Sequence, residues 1–179
     1  MKIVVTGANG FIGKNLCVSL REQERHEVFE VCRETSKEVF LSYLSDADFI
    51  FHLAGVNRPK DTSEFQKGNV GLTKFMVEAL EKLGRNVPIA LSSSTQIDQA
   101  NPYGESKLAA EKAIEMYADT TGSSYYIFRF PNVFGKWCKP NYNSFVATFC
   151  NNVLNGIEIS IHDPSAQVRL VYIDDVCES

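Results

Sequence analysis

The strand-forming run Ile3-Val4-Val5-Thr6 ends directly in Gly7-Ala8-Asn9-Gly10-Phe11-Ile12-Gly13, where a helical pattern begins. A strand that stops at glycine, followed by a helix that opens on further glycines, must turn tightly and leave the helix N-terminus uncovered. Gly7 permits the turn, Gly10 clears a side chain where a pyrophosphate approaches, and Gly13 lets the helix pack closely on the sheet. Free amides of the first helical turn then face an anion. The loop, with Asn9, Phe11 and Ile12 completing it, reads as a dinucleotide cradle.

The rest of the chain supplies a matching scaffold. Apolar, β-branched runs at 3–6, 28–32, 49–53, 87–92 and 125–129 alternate with helical patterns at 11–23, 36–45, 62–83 and 102–121. Short continuous apolar runs suit strands buried on both faces of a parallel sheet. Leu72, Phe75, Met76, Ala79, Leu80 and Leu83 form one stripe at helical spacing. The alternation predicts an α/β fold, a doubly wound parallel sheet of Rossmann type that binds NAD(P), with ligands at the carboxyl ends of the strands. Residues 1–130 read as the cofactor core, and 131–179 as the start of a small substrate-binding portion. That second part holds turns at 131–135 and 140–143, a helix at 144–154 and strand-like runs at 158–161 and 168–173. The last residues do not read as a finished domain end, so a truncated domain is expected.

Composition narrows the function classes. Lys+Arg 18 against Asp+Glu 22 gives a net charge of -4, which argues against a nucleic-acid surface. Five cysteines, with no Cys-x-x-Cys pair, predict neither a disulfide framework nor a zinc site. The apolar run at the N-terminus is too short for a secretory segment, and no stretch reaches a membrane span of roughly 20 residues. A cytoplasmic protein is expected.

Two further segments bear on chemistry. An NAD site usually carries an acid after the second strand, for the ribose 2′-hydroxyl. In Glu27-Val28-Phe29-Glu30-Val31-Cys32-Arg33, Cys32 stands in that place and Arg33 follows. A guanidinium there suits a 2′-phosphate. NADPH is therefore expected, with Arg33 as selector and Lys14 as a second cation; with NAD instead, Glu30 or Glu34 would reach the ribose. Farther on, Tyr103 and Lys107 lie four apart at the head of a helix, on one face. An ammonium beside a phenol lowers its pKa from about 10, so the tyrosine can exchange a proton with a sugar hydroxyl or ketone near neutral pH. Lys107 can also hold the nicotinamide ribose. Ser92-Ser93-Ser94 closes the fourth run, with a hydroxyl available to the reacting oxygen. Tyr-x-x-x-Lys alone is common on exposed helices; its order after a glycine loop and a serine run is specific.

These motifs together resemble the extended short-chain dehydrogenases/reductases that act on nucleotide sugars. The resemblance rests on the Gly-x-x-Gly-x-x-Gly spacing, on His52-Leu53-Ala54-Gly55, on Asn69-Val70 and on Pro102-Tyr103-Gly104-Glu105-Ser106-Lys107 with Glu111. It extends to 129–135 (RFPNVFG) and 172–176 (YIDDV). Segments 52–59 (HLAGVNRP), 101–108 (NPYGESKL) and 132–144 (NVFGKWCKPNYNS) look like the capsular polysaccharide branch, in which such a reductase precedes a C-terminal cupin. The resemblance implies NADPH-dependent reduction of the C4 ketone of a UDP-4-keto-6-deoxy-N-acetylamino sugar, toward an N-acetylfucosamine-type capsule precursor. It implies catalysis by Ser94, Tyr103 and Lys107. Cofactor contacts would come from Gly7, Asn9, Gly10, Phe11, Ile12, Gly13, Arg33, Leu53, Ala54, Gly55 and Lys107, and substrate contacts from Asn132, Lys136 and Asn143. No metal is implied. A homodimer through the helices at 72–83 and 103–121 is, and the cupin domain is absent from this chain. An NAD-dependent 4-epimerase and a non-catalytic dinucleotide sensor are the alternatives.

Two departures from the family pattern stand out. Ser94 and Tyr103 are only nine residues apart, which trims the loop between them. Arg169 sits one place later than the family's phosphate-binding arginine. Thr95-Gln96 follows Ser94 where dehydratases need an Asp-Glu pair, so a dehydratase is not expected.

Overall fold

In a computed structural model, which describes residues 1–59, 61–161 and 163–179, the apolar runs form a five-stranded sheet. Its strands are β1 (Lys2–Thr6), β2 (Glu27–Val31), β3 (Phe49–His52), β4 (Ile89–Ser94) and β5 (Tyr125–Phe130), in the order β2-β1-β3-β4-β5. β1 pairs in parallel with β2, Thr6 opposite Val31, and with β3, Thr6 opposite His52. β3 pairs in parallel with β4, His52 opposite Leu91. The fourth strand starts later than the sequence predicts because Pro88 has no N–H for the ladder; its carbonyl accepts from Ile50 N instead, at 3.0 Å.

Connecting helices are α1 (Phe11–Glu22), α2 (Lys37–Asp46), α3 (Ser63–Phe65), α4 (Leu72–Lys82) and α5 (Pro102–Thr121). The chain leaves β1 for β2 on one side and returns to β3 on the other, so right-handed crossovers put α1 on one face and α2, α4 and α5 on the opposite face. The core lies under the latter: Val4, Ile50, Ile89 and Leu91 meet Phe40, Leu44, Met76, Leu80, Ile114 and Tyr117. Met76, Ala79 and Leu80 of the apolar stripe belong to this core, whereas Leu83 is exposed.

The helix expected over 62–83 runs without a break from Ser63 to Lys82, but not with α geometry throughout. Between α3 and α4 lies a π-helical segment, Gln66–Gly71. Gly68 and Gly71 weaken α-helical geometry there, and the wider turn leaves Asn69 free to bond across to other segments, as described below.

The chain divides into two compact units, Met1–Arg129 and Phe130–Ser179. In the second, β6 (Asn132–Phe134) pairs in parallel with β7 (Leu170–Tyr172), and α6 (Phe145–Leu154) and α7 (Ile173–Glu178) complete it. Three sequence expectations are corrected here. Residues 131–135 are not simply a turn, because the ladder to β7 extends 132–134. Residues 158–161 form no strand, having no neighbouring strand to pair with among the described residues. The run at 168–173 is strand only over Leu170–Tyr172, since Ile173 opens α7.

Candidate active site

The carboxyl ends of β1 and β3 are adjacent, at the point where successive connections diverge; ligands of doubly wound sheets sit in that crevice. Gly7 turns out of β1 at φ +71°, a region where L side chains are strained. A Cβ there would stand 2.7 Å from Ala54 N, so the loop lies directly on the end of β3. Val31 O accepts from Gly7 N at 2.9 Å, and Gly7 O accepts from Gly10 N at 2.8 Å. Gly10 is the N-cap of α1, and no side chain caps the first turn. A Cβ on Gly13 would meet Ala8 Cα at 2.9 Å, so helix and loop touch backbone to backbone. Asn9 and Gly10 are exposed, Phe11 and Ile12 half-buried. Leu53 and Ala54, both half-buried, and the exposed Gly55 follow β3 alongside.

Arg33 follows β2 by two residues, on a turn closed by Cys32 N donating to Thr35 Oγ1 at 3.0 Å. It is exposed, and its guanidinium makes no hydrogen bond or ion pair among the described residues. An uncapped helix end over a glycine-rich loop, with an unengaged cation two residues beyond β2, fits a dinucleotide diphosphate and its ribose.

A buried polar chain fixes these strand ends. Ala54 N donates to Thr6 Oγ1 at 3.2 Å, and Thr6 Oγ1 lies 2.7 Å from His52 Nδ1. On the other side His52 Nε2 lies 2.8 Å from Thr73 Oγ1, whose proton goes to Asn69 O at 2.7 Å. Thr73 has its hydroxyl proton committed, so it accepts from Nε2–H, and Thr6 donates to Nδ1. His52 is thus the neutral Nε2–H tautomer. Complete burial, reinforced by the charge of Lys107, pushes its pKa down to about 3. Asn69 extends the network: Oδ1 accepts from Val56 N at 2.7 Å, and Nδ2 donates to Val56 O at 3.1 Å and to Ser106 Oγ at 2.8 Å. Ser106 in turn donates to Tyr103 O at 2.8 Å.

α5 is punctuated at both ends. Asn101 Oδ1 caps Gly104 N at 2.8 Å, Pro102 follows at the first turn, and Gly122 closes the helix at φ +71°. Tyr103, half-buried, packs its ring 5.8 Å from that of Phe65. Lys107 is 5% exposed. Its Nζ reaches the segment after β3, 3.6 Å from where a Cβ on Gly55 would stand, and makes no hydrogen bond or ion pair among the described residues. Burial pushes its pKa down to about 8, although the Glu111 carboxylate works the other way. A buried, unpartnered ammonium at the mouth of the cradle is a costly arrangement that a ribose hydroxyl would relieve.

The trimmed link between Ser94 and Tyr103 is a 3-10 turn, Thr95–Asp98, capped by Ser94 Oγ accepting from Gln96 N at 3.2 Å. The turn packs on the first turn of α5: a Cβ on Gly104 would meet Gln99 O at 3.0 Å. Ser93 points to the other face of β4 and donates to Glu111. Glu111 also receives Arg129 Nε at 3.2 Å and Nη2 at 2.8 Å. Ser94, Tyr103, Lys107 and the cradle thus all belong to the first unit. Asn132, Lys136 and Asn143 belong to the second. Asn132 is exposed at the start of β6, Lys136 stands over the Trp137 ring at 5.1 Å, and Asn143 is half-buried. Arg169 is exposed, and its carbonyl accepts from Asn132 N at 3.2 Å. Sequence reasoning missed the roles of Thr6, His52, Thr73 and Arg129 as polar partners; the only signal was the presence of polar residues within apolar patterns.

With this geometry in place, residues 3–179 match the NAD dependent epimerase/dehydratase family. The chain belongs to that family. It is 51% identical, over 98% of its length and 47% of the relative's, to a UDP-2-acetamido-2,6-beta-L-arabino-hexul-4-ose reductase of Pseudomonas aeruginosa. The crystal structure of the capsular polysaccharide assembling protein CapF from Staphylococcus aureus superposes with a TM-score of 0.88 at 48% identity, covering 99% of this chain and 48% of that one. The chain therefore spans about half the length of each of these two proteins. A UDP-glucuronic acid 4-epimerase from Bacillus cereus, in complex with NAD, shares the fold at TM-score 0.87 and 22% identity, over 99% of this chain and 72% of that one. For this epimerase/dehydratase family member, no described helix is long and apolar enough to cross a membrane.

Proposed function

We propose that this chain is the cofactor-binding part of an NADPH-dependent reductase acting on the C4 ketone of a UDP-4-keto-6-deoxy-N-acetylamino sugar, in the making of a capsule building block. The observation that carries this reading is the buried Lys107 ammonium, one helical turn from Tyr103, reaching the segment beside the glycine cradle. The 51% identity to a 4-ketose reductase supports the substrate class. A bound nicotinamide dinucleotide supplies the hydride for the ketone carbon. Tyr103 gives its phenolic proton to the C4 oxygen as that oxygen gains charge, and Lys107 makes the departure of the proton easier. Ser94, on the β4 face away from Glu111, donates a hydrogen bond to the same oxygen. The free amides at the head of α1 hold the diphosphate, and Arg33 holds a 2′-phosphate. Asn132, Lys136 and Asn143 contribute to the sugar nucleotide. The working molecule is a cytoplasmic homodimer.

NADPH oxidation with a panel of UDP-4-keto sugars, in the wild type, Tyr103→Phe and Arg33→Ala, tests the reading. Tyr103→Phe is expected to cut kcat by roughly 10²–10⁴-fold, the usual contribution of a positioned general acid. Arg33→Ala should weaken NADPH binding by about tenfold or more and leave NADH nearly untouched. Unchanged turnover in Tyr103→Phe removes the tyrosine from the reaction, and equal losses for the two dinucleotides remove Arg33 as selector. Tightly held NAD with no net NADPH consumption would point to a 4-epimerase instead.

A further inference from the structure

Glu111 is 1% exposed and lies one helical turn beyond Lys107. Its carboxylate gathers three hydrogen bonds from two strands: Ser93 of β4, and Arg129 of β5 through both Nε and Nη2. Ser93 and the carboxylate itself each adjoin residues of the proposed reaction. Ser93 precedes Ser94 directly, and Glu111 shares the inner face of α5 with Tyr103 and Lys107. The carboxylate is therefore the one buried charge that ties the serine strand to the Tyr/Lys helix, among the described residues. Arg129 is half-exposed and delivers its guanidinium from outside, so the pair is neutralised without a second buried charge.

We propose that Glu111 is a positioning residue, which locks β4 beside Ser94 to α5 beside Lys107 and supports the charged form of Lys107, with Arg129 setting how much of its field reaches that ammonium. The proposal rests on the oxidoreductase reading for its consequence in turnover but not for its electrostatics. The titratable groups that face Lys107 are few. Its own helix carries Tyr103 one turn before and Glu111 one turn after. β3 brings His52, which burial keeps neutral. The segment after β3 brings the Gly55 backbone, and β4 ends in uncharged serines. Glu111 is the one group that favours the ammonium, and it opposes the effect of burial.

The test is a side-chain NMR titration of Lys107 in the intact chain, assigned with Lys107→Met, alongside the pH profile of kcat. In Glu111→Gln the Lys107 titration should move down by about one pH unit, a tenfold change in its ionisation ratio, and the alkaline limb of kcat should follow. In Arg129→Gln, which leaves the carboxylate in place and its field less cancelled, both should move up, by about half a unit. Opposite shifts from the two partners of one ion pair are what a purely structural clamp does not produce. Should Glu111→Gln fail to fold, Arg129→Gln decides alone. A Lys107 titration that stays in place in Arg129→Gln, or moves down, overturns the proposal. Opposite shifts in a protein without turnover on any keto sugar support it and overturn the oxidoreductase reading instead.

Discussion

Lys107 should weaken the fold it serves, and replacing it with methionine measures by how much. Lys107 is 5% exposed, its ammonium has no hydrogen bond or ion pair among the described residues, and burial pushes its pKa down from 10.5 to about 8. The difference of 2.5 units corresponds, at 1.36 kcal/mol each, to about 3 kcal/mol by which burial disfavours the charged form. The direction with pH follows from proton counts. Below pH 8 folded and unfolded chains both carry the proton, and the whole penalty is present. Between 8 and 10.5 the unfolded chain binds more protons than the folded one, so stability rises with pH. Above 10.5 both are neutral and the penalty is gone. Lys107→Met removes the titrating group and keeps an apolar stem of similar length. In urea unfolding, the stability advantage of Lys107→Met over the wild type should shrink by about 3 kcal/mol between pH 7 and 10.5, a change of about 1–2 M in midpoint difference. Taking the difference between variants cancels the other alkaline titrations. Among them is Cys17, whose thiol burial pushes up to about 12. A difference between the two proteins that stays constant over that pH range would show that the ammonium is not buried unpaired, and would remove the physical reason for a cofactor hydroxyl to sit there.

Other expectations concern the cradle and its support. Burial, with the Lys107 charge, pushes the His52 pKa down to about 3, so wild-type stability should fall as pH drops from 6.5 toward 3, by up to about 5 kcal/mol. His52→Gln, less stable at pH 7, should lack that acid dependence, as calorimetry between pH 4 and 7 would read out. Gly7→Ala forces a left-handed φ on alanine and drives a methyl against Ala54 N. Strain and overpacking together should cost about 2–4 kcal/mol, seen as a melting point lower by roughly 5–15 °C. The same variant should lose at least tenfold in dinucleotide affinity by titration.

What was readable in the chain, and what was not, divides by the range of the interactions involved. The glycine loop, the ends of α5 and the β-branched runs are set by local rules: φ, capping and periodicity. Asn101-Pro102 opens α5 and Gly122 closes it at the residues the sequence marks. Short-range rules fail where pairing decides. Residues 132–134 become strand only because β7 lies beside them, whereas 158–161, equally strand-like, find no partner among the described residues. The helix at 62–83 is there as expected, but the π segment within it carries Asn69, which bonds Val56 and Ser106, 13 and 37 residues distant in sequence. No window on the sequence contains those partners.

The same division explains how a shortened loop still leaves a workable site. The eight residues between Ser94 and Tyr103 leave little chain to span from strand end to helix start. The chain spends it on one 3-10 turn, with Ser94 capping the turn and Asn101 capping the helix. The loop packs on the first turn of α5, where Gln99 O leaves no room for a Cβ on Gly104. Farther along α5, polar contacts behind it add to this: Asn69 through Ser106 to the Tyr103 carbonyl, and Glu111 to Ser93 and Arg129. Buried hydrogen bonds of this kind are costly to break and directional, which the apolar contacts under α4 and α5 are not. Asn69→Ala, which removes the amide that joins Val56 to Ser106 and leaves the loop intact, should accordingly lower the melting temperature and loosen the first turns of α5, as hydrogen exchange of the amides there would show.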